Sequence, residues 1–217
     1  SSRRRHTRYI SVTGVQTCAL PICSENENLI ENEANYLDNY GVVNVQFTSP
    51  TPTENGYAAA NTRQGEFNGW EIYQPSSAVD VADWEHSFYN HEDVEVHIAL
   101  EMDKSDPSGD SAVGTYNLLM TGLKMTNPGS GTLPAVNEGL LDIDITYADA
   151  RAQGIWLLDD NRFTNSATGV IDIDIIKTES DPAIKYASNY AAGIRLDNSS
   201  GFLNDGTIDI YAEGLKA

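Results

Sequence analysis

The run DIDI occurs at Asp142–Ile145 and again at Asp172–Ile175, and a third copy is cut to IDI at Ile208–Ile210. Asp142, Asp144, Asp172, Asp174 and Asp209 therefore recur two residues apart, a spacing that puts neighbouring carboxylates on one face of an extended strand. If the copies stack as adjacent strands, about 4.8 Å apart, each pair of carboxylates repels by roughly 0.9 kcal/mol in water. Two arrangements relieve this. Calcium takes about six to eight oxygens and favours carboxylate clusters, which makes these five residues candidate metal ligands and calcium the one cofactor the sequence admits. The other arrangement is a solvated acidic face, with side chains splayed apart and screened by salt. The compact calcium-repeat pattern GGxGxDxUx is absent, which favours the solvated face.

Other chemistry is thinly represented. His86, His91 and His97 have no helical i, i+4 partner and no CxxC beside them, so they read as surface histidines rather than a metal cluster. His97 follows the inward Val96 and should point outward. No GxSxG, Walker loop, HExxH or dinucleotide fingerprint occurs. The basic residues Arg151, Arg162, Lys177, Lys185 and Arg195 lie on units that look repetitive, whereas a catalytic site would break the pattern. Trp156, outward between Ile155 and Leu157, and Trp84, in a polar stretch, are candidate ligand contacts, because an indole face can stack on a sugar ring. Trp70 and Tyr116 fall in inward positions and read as core.

The elements that position these residues are repeats. GLLDIDI from Gly139, GVIDIDI from Gly169 and GTIDI from Gly206 share one pattern. GTYNLLMTGLKM from Gly114 lines up on GTIDIYAEGLKA from Gly206, and FYNHEDVEV from Phe88 on FLNDGTIDI from Phe202. With NGWEI at Asn68 and GVVNV at Gly41, seven units result. Their first apolar anchors are Val43, Trp70, Val94, Tyr116, Leu141, Ile171 and Ile208, at intervals of 27, 24, 22, 25, 30 and 37 residues. Two positions on, every unit is apolar again, and the residue between is Asn44, Glu71, Glu95, Asn117, Asp142, Asp172 or Asp209. This alternation marks half-buried strands with the polar column in water.

A second strand precedes the first in the late units, as GLKM at Gly122, GIWL at Gly154 and GIRL at Gly193. The unit from Gly193 to Gly214 closes in 21 residues, about one coil of a parallel β-helix with three short faces. Loop insertions at one corner, such as Lys177 to Tyr190, account for the longer units. The fold expected is all-β: a right-handed parallel β-helix of about seven coils over residues 24–217. An antiparallel sandwich also uses short strands at regular spacing, but does not require each strand to resemble the next. Asn90, Asn137, Asn165 and Asn204 sit at a corner, either as ordinary turn residues or as a ladder of stacked amides.

At GIxL, FxN and GxIDI the chain resembles the repeat passengers of bacterial autotransporters and related adhesin-like surface proteins. The resemblance covers about Leu29 to Ala217 and is strongest after Gly114. It implies an extracellular or cell-surface location, and partners such as a host-cell surface, a glycan or other bacterial cells. The family's secretion signal and C-terminal membrane barrel are not found in this sequence, so a fragment without native caps is expected, whose neighbouring coils belong to the same chain.

Ser1 to Cys23 reads unlike the rest. Back-translated, VTGVQTCALPI resembles the read primer of a short-read sequencing adapter, and SRRRHTR resembles the flow-cell end of that adapter. The segment is accordingly set apart from the fold as adapter-derived; it is too polar and interrupted for a signal peptide. It holds both cysteines and four of the thirteen Lys and Arg residues. Without it, nine basic residues face thirty-two acidic ones, a net charge of −23. That field opposes nucleic acid and anionic membrane as partners, and no apolar run approaches the roughly 18 residues of a membrane helix. The function expected is a secreted or surface-displayed structural and adhesive segment without catalysis. The alternative is a polysaccharide lyase or glycosidase on the same fold, whose chemistry needs paired carboxylates or a basic residue in a groove.

Overall fold

A computed structural model of the chain describes residues 27–33, 37–49, 62–73, 86–102, 115–126, 133–147, 151–178, 185–186 and 190–214. Ser1 to Cys23 and Trp84 lie outside them. All sixteen elements among the described residues are strands, as strict alternation and β-branched inward residues dictate.

Three strands make one turn of the chain. The first coil is β1 (Glu27–Glu33), β2 (Leu37–Asn39) and β3 (Val42–Ser49); the second is β4 (Thr62–Tyr73), β5 (Phe88–Asn90) and β6 (Glu95–Met102). The third is β7 (Thr115–Thr126), β8 (Ala135–Asn137) and β9 (Leu140–Tyr147), and the fourth β10 (Arg151–Leu157), β11 (Arg162–Asn165) and β12 (Val170–Lys177). After the short β13 (Lys185–Tyr186), the fifth is β14 (Ala191–Leu196), β15 (Gly201–Asn204) and β16 (Thr207–Glu213). Equivalent strands pair in parallel as three sheets: a first face β1-β4-β7-β10-β14, a second β2-β5-β8-β11-β15 and a third β3-β6-β9-β12-β16. This is the stacked, in-register architecture of a parallel β-solenoid.

The described coils number five, not seven. Trp70 and Ile72 pair with Leu123 and Met125, which pair in turn with Ile155 and Leu157. NGWEI is thus a first-face strand, the counterpart of GLKM and GIWL rather than of GLLDIDI. Tyr116 likewise pairs with Arg63 in the first face. Both faces read as glycine followed by alternating apolar residues, so type alone cannot separate them. A further shift moves the second coil's anchors from Val94 and Val96 to Val96 and Ile98, which align with Leu141 and Ile143. His97, not Glu95, occupies the polar position between them.

Insertions enter at two corners rather than one. The connection from second to third face is two or four residues in every coil, whereas third to first varies from three to thirteen and first to second from three to fourteen. Within the segment Lys177 to Tyr190, Lys185 and Tyr186 pair with Thr115 and Tyr116 of β7, so it is not wholly a free loop.

The core fills the interior with columns of like residues. Ile98, Ile143 and Ile173 are at most 1% exposed, and Phe163 stacks on Phe202 with centroids 5.4 Å apart and planes at 1°. The first-face glycine makes room for the isoleucine column: a Cβ on Gly122 would lie 2.4 Å from Ile143 Cγ2, and one on Gly154 2.7 Å from Ile173 Cγ2. Pairing skips this glycine, from Gln153↔Ala192 to Ile155↔Ile194. Alternation resets there, so that Met120 and Leu123, three residues apart, are both in the core. A glycine inside a strand marks such a bend.

The corner asparagines form the ladder. Asn39 Nδ2 donates to Asn90 Oδ1 (2.8 Å), Asn90 to Asn137 (2.7 Å), Asn137 to Asn165 (2.9 Å) and Asn165 to Asn204 (2.8 Å). Asn137 Nδ2 also donates to Gly139 O and Val170 O. Asn39, which the sequence reading did not include, is its first rung.

Candidate functional site

The solvent side of the third face carries two polar columns. The first runs Asn44, His97, Asp142, Asp172, Asp209, and the second Gln46, Ala99, Asp144, Asp174, Tyr211. The register thus stacks all five predicted carboxylates, Asp142, Asp172 and Asp209 in one column and Asp144 and Asp174 in the next. Burial, followed by the charges of Asp142, Asp174 and Asp172, raises the pKa of Asp144 above the usual carboxylate value. Asp172 is raised likewise by burial, then by Asp174, Asp142 and Asp209. Among the described residues, no group of three His, Cys, Asp or Glu side chains is placed to hold a metal ion.

His97 joins this face between two carboxylates. Its Nδ1 lies 2.7 Å from Asp142 Oδ2 in the next coil and its Nε2 3.0 Å from Glu95 Oε2. Both ring nitrogens therefore face carboxylates, which only the imidazolium satisfies by donating twice. Burial alone would lower its pKa, but the hydrogen bonds to Glu95 and Asp142 outweigh that and raise it. The outward direction of His97 was legible from its neighbour Val96; its pairing with Asp142 follows from the register.

The outer side of the first face holds a second cluster. The column Glu71, Lys124, Trp156, Arg195 crosses four coils. Lys124 Nζ binds Glu66 Oε1 at 2.5 Å and Glu71 Oε1 at 3.0 Å. Burial would lower the Lys124 pKa, but its bonds to Glu66 and Glu71 raise it. Glu71 was expected in water and is 2% exposed; a buried carboxylate at that depth needs such a partner. Asn68 adds a bond to Glu71 Oε2 at 3.1 Å.

Trp156 is half-buried within this column. Lys124 Nζ lies over its ring at 5.4 Å from the centroid and Arg195 Cζ at 4.7 Å. These cations come from the preceding and following coils, and the indole Nε1 donates to Asp197 Oδ2 at 2.9 Å. The ring is a cation–π element of the wall. Arg195 in turn pairs with Asp197 at 2.7 Å.

Of the remaining histidines, His91 stacks on Tyr40 with centroids 3.9 Å apart and lies 4.3 Å from the ring of Tyr89. His86 meets Tyr89 edge-on. They flank β5 of the second face. Comparison with protein-family models, with curated proteins and with solved structures returned no match.

Proposed function

We propose that this chain is a segment of a secreted or surface-displayed solenoid whose work is structural extension and adhesion, without catalysis. The observation that carries this reading is the unbroken register of five coils tied by one asparagine ladder. Stacked coils make a stiff rod, and insertions at two corners vary while the wall repeats, which is where recognition is accommodated. The partners that fit are a host-cell surface, a glycan, other bacterial cells and further coils of the same chain. A strongly acidic surface speaks against nucleic acid or insertion into an anionic membrane.

The alternative, a polysaccharide lyase or glycosidase, draws on one departure from the repeat: Glu66 and Glu71, two carboxylates on the outer side of a sheet. Both are bonded to Lys124, and Glu71 is buried among its bonds. That is the environment of a structural ion triad, not of an acid and a base facing substrate. The test is to incubate the chain with an immobilised panel of neutral and acidic glycans, measuring both retention and released reducing ends. Retention without release is the expected result. Release that Glu71→Gln abolishes, while the circular dichroism spectrum is unchanged, would replace this reading with the enzymatic one.

A further inference from the structure

Burial closes the Glu66–Lys124–Glu71 cluster to an outside substrate, and the same burial suits a reaction among its own members. Asn68 is 0% exposed, Glu71 2% and Lys124 8%. One carboxylate touches both of the other two: Glu71 Oε1 lies 3.0 Å from Lys124 Nζ, and Glu71 Oε2 accepts from Asn68 Nδ2 at 3.1 Å. Asn68 stands between Glu66 and Glu71 on the outer side of β4, because Phe67 and Trp70 turn into the core. An ammonium bound by Glu66 and Glu71 at once is therefore held beside the Asn68 amide. Such positioning supplies much of what an encounter in solution would have to find.

Thr121 is a second, independent sign. It is the Cα partner of Asn68 in β7 and is 0% exposed, and its Oγ1 has no hydrogen-bond partner among the described residues. A buried hydroxyl left so is costly. Beside the neutral carbonyl of Asn68, it is a donor placed for an oxyanion that has yet to form. The Trp156 ring, with Lys124 Nζ 5.4 Å from its centroid, covers the amine from the next coil. In such a site the ion pair gains less over its neutral form than it would in water.

We infer that Lys124 and Asn68 become joined by an intramolecular amide, a covalent staple between the second and third coils that the chain forms by itself. Lys124 passes one proton to Glu66 and attacks Asn68 Cγ as a free amine. The Nζ–Cγ bond forms, and the carbonyl electron pair moves onto Oδ1, where the Thr121 hydroxyl can donate. Glu71 then takes a proton from Nζ and returns it to Nδ2 as the Cγ–Nδ2 bond breaks. The proton held on Glu66 follows, so ammonium leaves and both carboxylates are restored. No oxidant or cofactor enters. The bonds to Glu66 and Glu71 raise the pKa of Lys124 against the effect of burial, so the free amine is a minor form and the staple builds up slowly after folding. Glu66 and Glu71, kept anionic by the same ammonium, are poorer acceptors than the neutral amide. The inference rests on the fold and is independent of the proposed function.

Intact-mass spectrometry of the full chain, followed over time after folding and then after trypsin, tests it. The chain should become lighter by one ammonia, and trypsin should release peptide 64–104 joined to 105–151, uncut at Lys124. Lys124→Arg should keep its full mass. Glu71→Gln leaves both reactants in place and should slow the loss by about 100-fold or more, with the circular dichroism spectrum showing that each variant is folded. A wild-type chain that keeps its full mass would overturn the inference, whether or not the variants fold. So would loss of water in place of ammonia, which makes a glutamate the acceptor. An ammonia loss that survives Lys124→Arg is cyclisation at Asn68–Gly69 and overturns it too, and an undiminished rate in Glu71→Gln would remove the proton carrier on which the step depends.

Discussion

Replacing Asn137 by leucine tests whether the asparagine ladder holds the coils or merely decorates the corner. The side chain is fully buried. It accepts from Asn90 at 2.7 Å and donates to Asn165 Oδ1, Gly139 O and Val170 O at 2.9, 3.0 and 3.2 Å. Asn90 retains its bond to Leu140 O, so the groups left wanting are one amide hydrogen of Asn90, the Asn165 oxygen and part of two carbonyls. A buried polar group without a partner costs about 1–3 kcal/mol. Two such groups, partly relieved by relaxation, give a loss of about 3–4 kcal/mol. For a chain of this length about 1 kcal/mol moves the midpoint by about 2–4 °C, so a fall on the order of 10 °C is expected in thermal unfolding by circular dichroism. Asn204→Leu, at the exposed end of the same ladder, should move it by no more than about a third as much, because water reaches the groups it releases. Equal shifts for the two variants, or an Asn137→Leu midpoint within about 2 °C of wild type, would refute the claim that buried amides tie the coils together.

Three further expectations can be checked with the same instrument. His97 has a raised folded pKa, so its stabilisation is complete below its unfolded value near 6.5 and is lost as pH rises through the folded value. Asp144 and Asp172 are also raised, so they too favour the folded state as pH falls. The midpoint should therefore rise between pH 8 and about pH 5, and the difference between wild type and His97→Gln should shrink toward pH 8; a flat difference would remove the Glu95–His97–Asp142 bridge from the account. Gly154→Ala forces a Cβ to 2.6 Å from Gly193 O and 2.7 Å from Ile173 Cγ2, which should cost about 1–3 kcal/mol or more. Gly201→Ala, with nothing within 4 Å of its new carbon, should leave the midpoint where it was. Calcium should raise the midpoint no more than matched ionic strength does, and a larger rise would make the Asp142, Asp172, Asp209 column a metal site.

The fold was legible wherever side chains repeat by chemistry, and illegible wherever two faces use the same chemistry. Ile-Asp-Ile recurs with so few substitutions that Leu141, Ile171 and Ile208 align unaided, and the structure stacks them in that register. NGWEI and GTYNLLM were assigned to the wrong face because a glycine before alternating apolar residues serves both the first-face bend and the third-face strand. The difference lies in what the glycine touches: on the first face it meets the isoleucine column, and at Gly139, Gly169 and Gly206 it meets the backbone of the preceding coil. No single-coil pattern encodes that contact. The same blindness hid the Glu66–Lys124–Glu71 triad, whose members are 53 and 5 residues apart along the chain from Lys124 to Glu71 and from Glu71 to Glu66. They meet only once the first-face register is known.

Electrostatics follows the same division between what one coil specifies and what stacking adds. A single Ile-Asp-Ile strand gains alternation at no cost, since its carboxylate faces water. Stacking three of them brings Asp142, Asp172 and Asp209 into one column, where burial first, and then the charges of Asp174, Asp142 and Asp209, raise the pKa of Asp172. Toward the first coil the column changes to His97 and then Asn44, so the repulsion is confined to the last three coils and ends against a cation. On the first face Glu71 is set against Lys124, and Trp156 lies between Lys124 and Arg195. A wall with a balanced face and an acidic one tolerates its charge only while water and salt reach the acidic side. It follows that a partner covering the third face must bring cations or displace protons onto Asp144 and Asp172, whereas one contacting the corners need do neither. The corners, where the chain also varies most in length, are therefore the electrostatically less demanding place for this acidic solenoid to be touched.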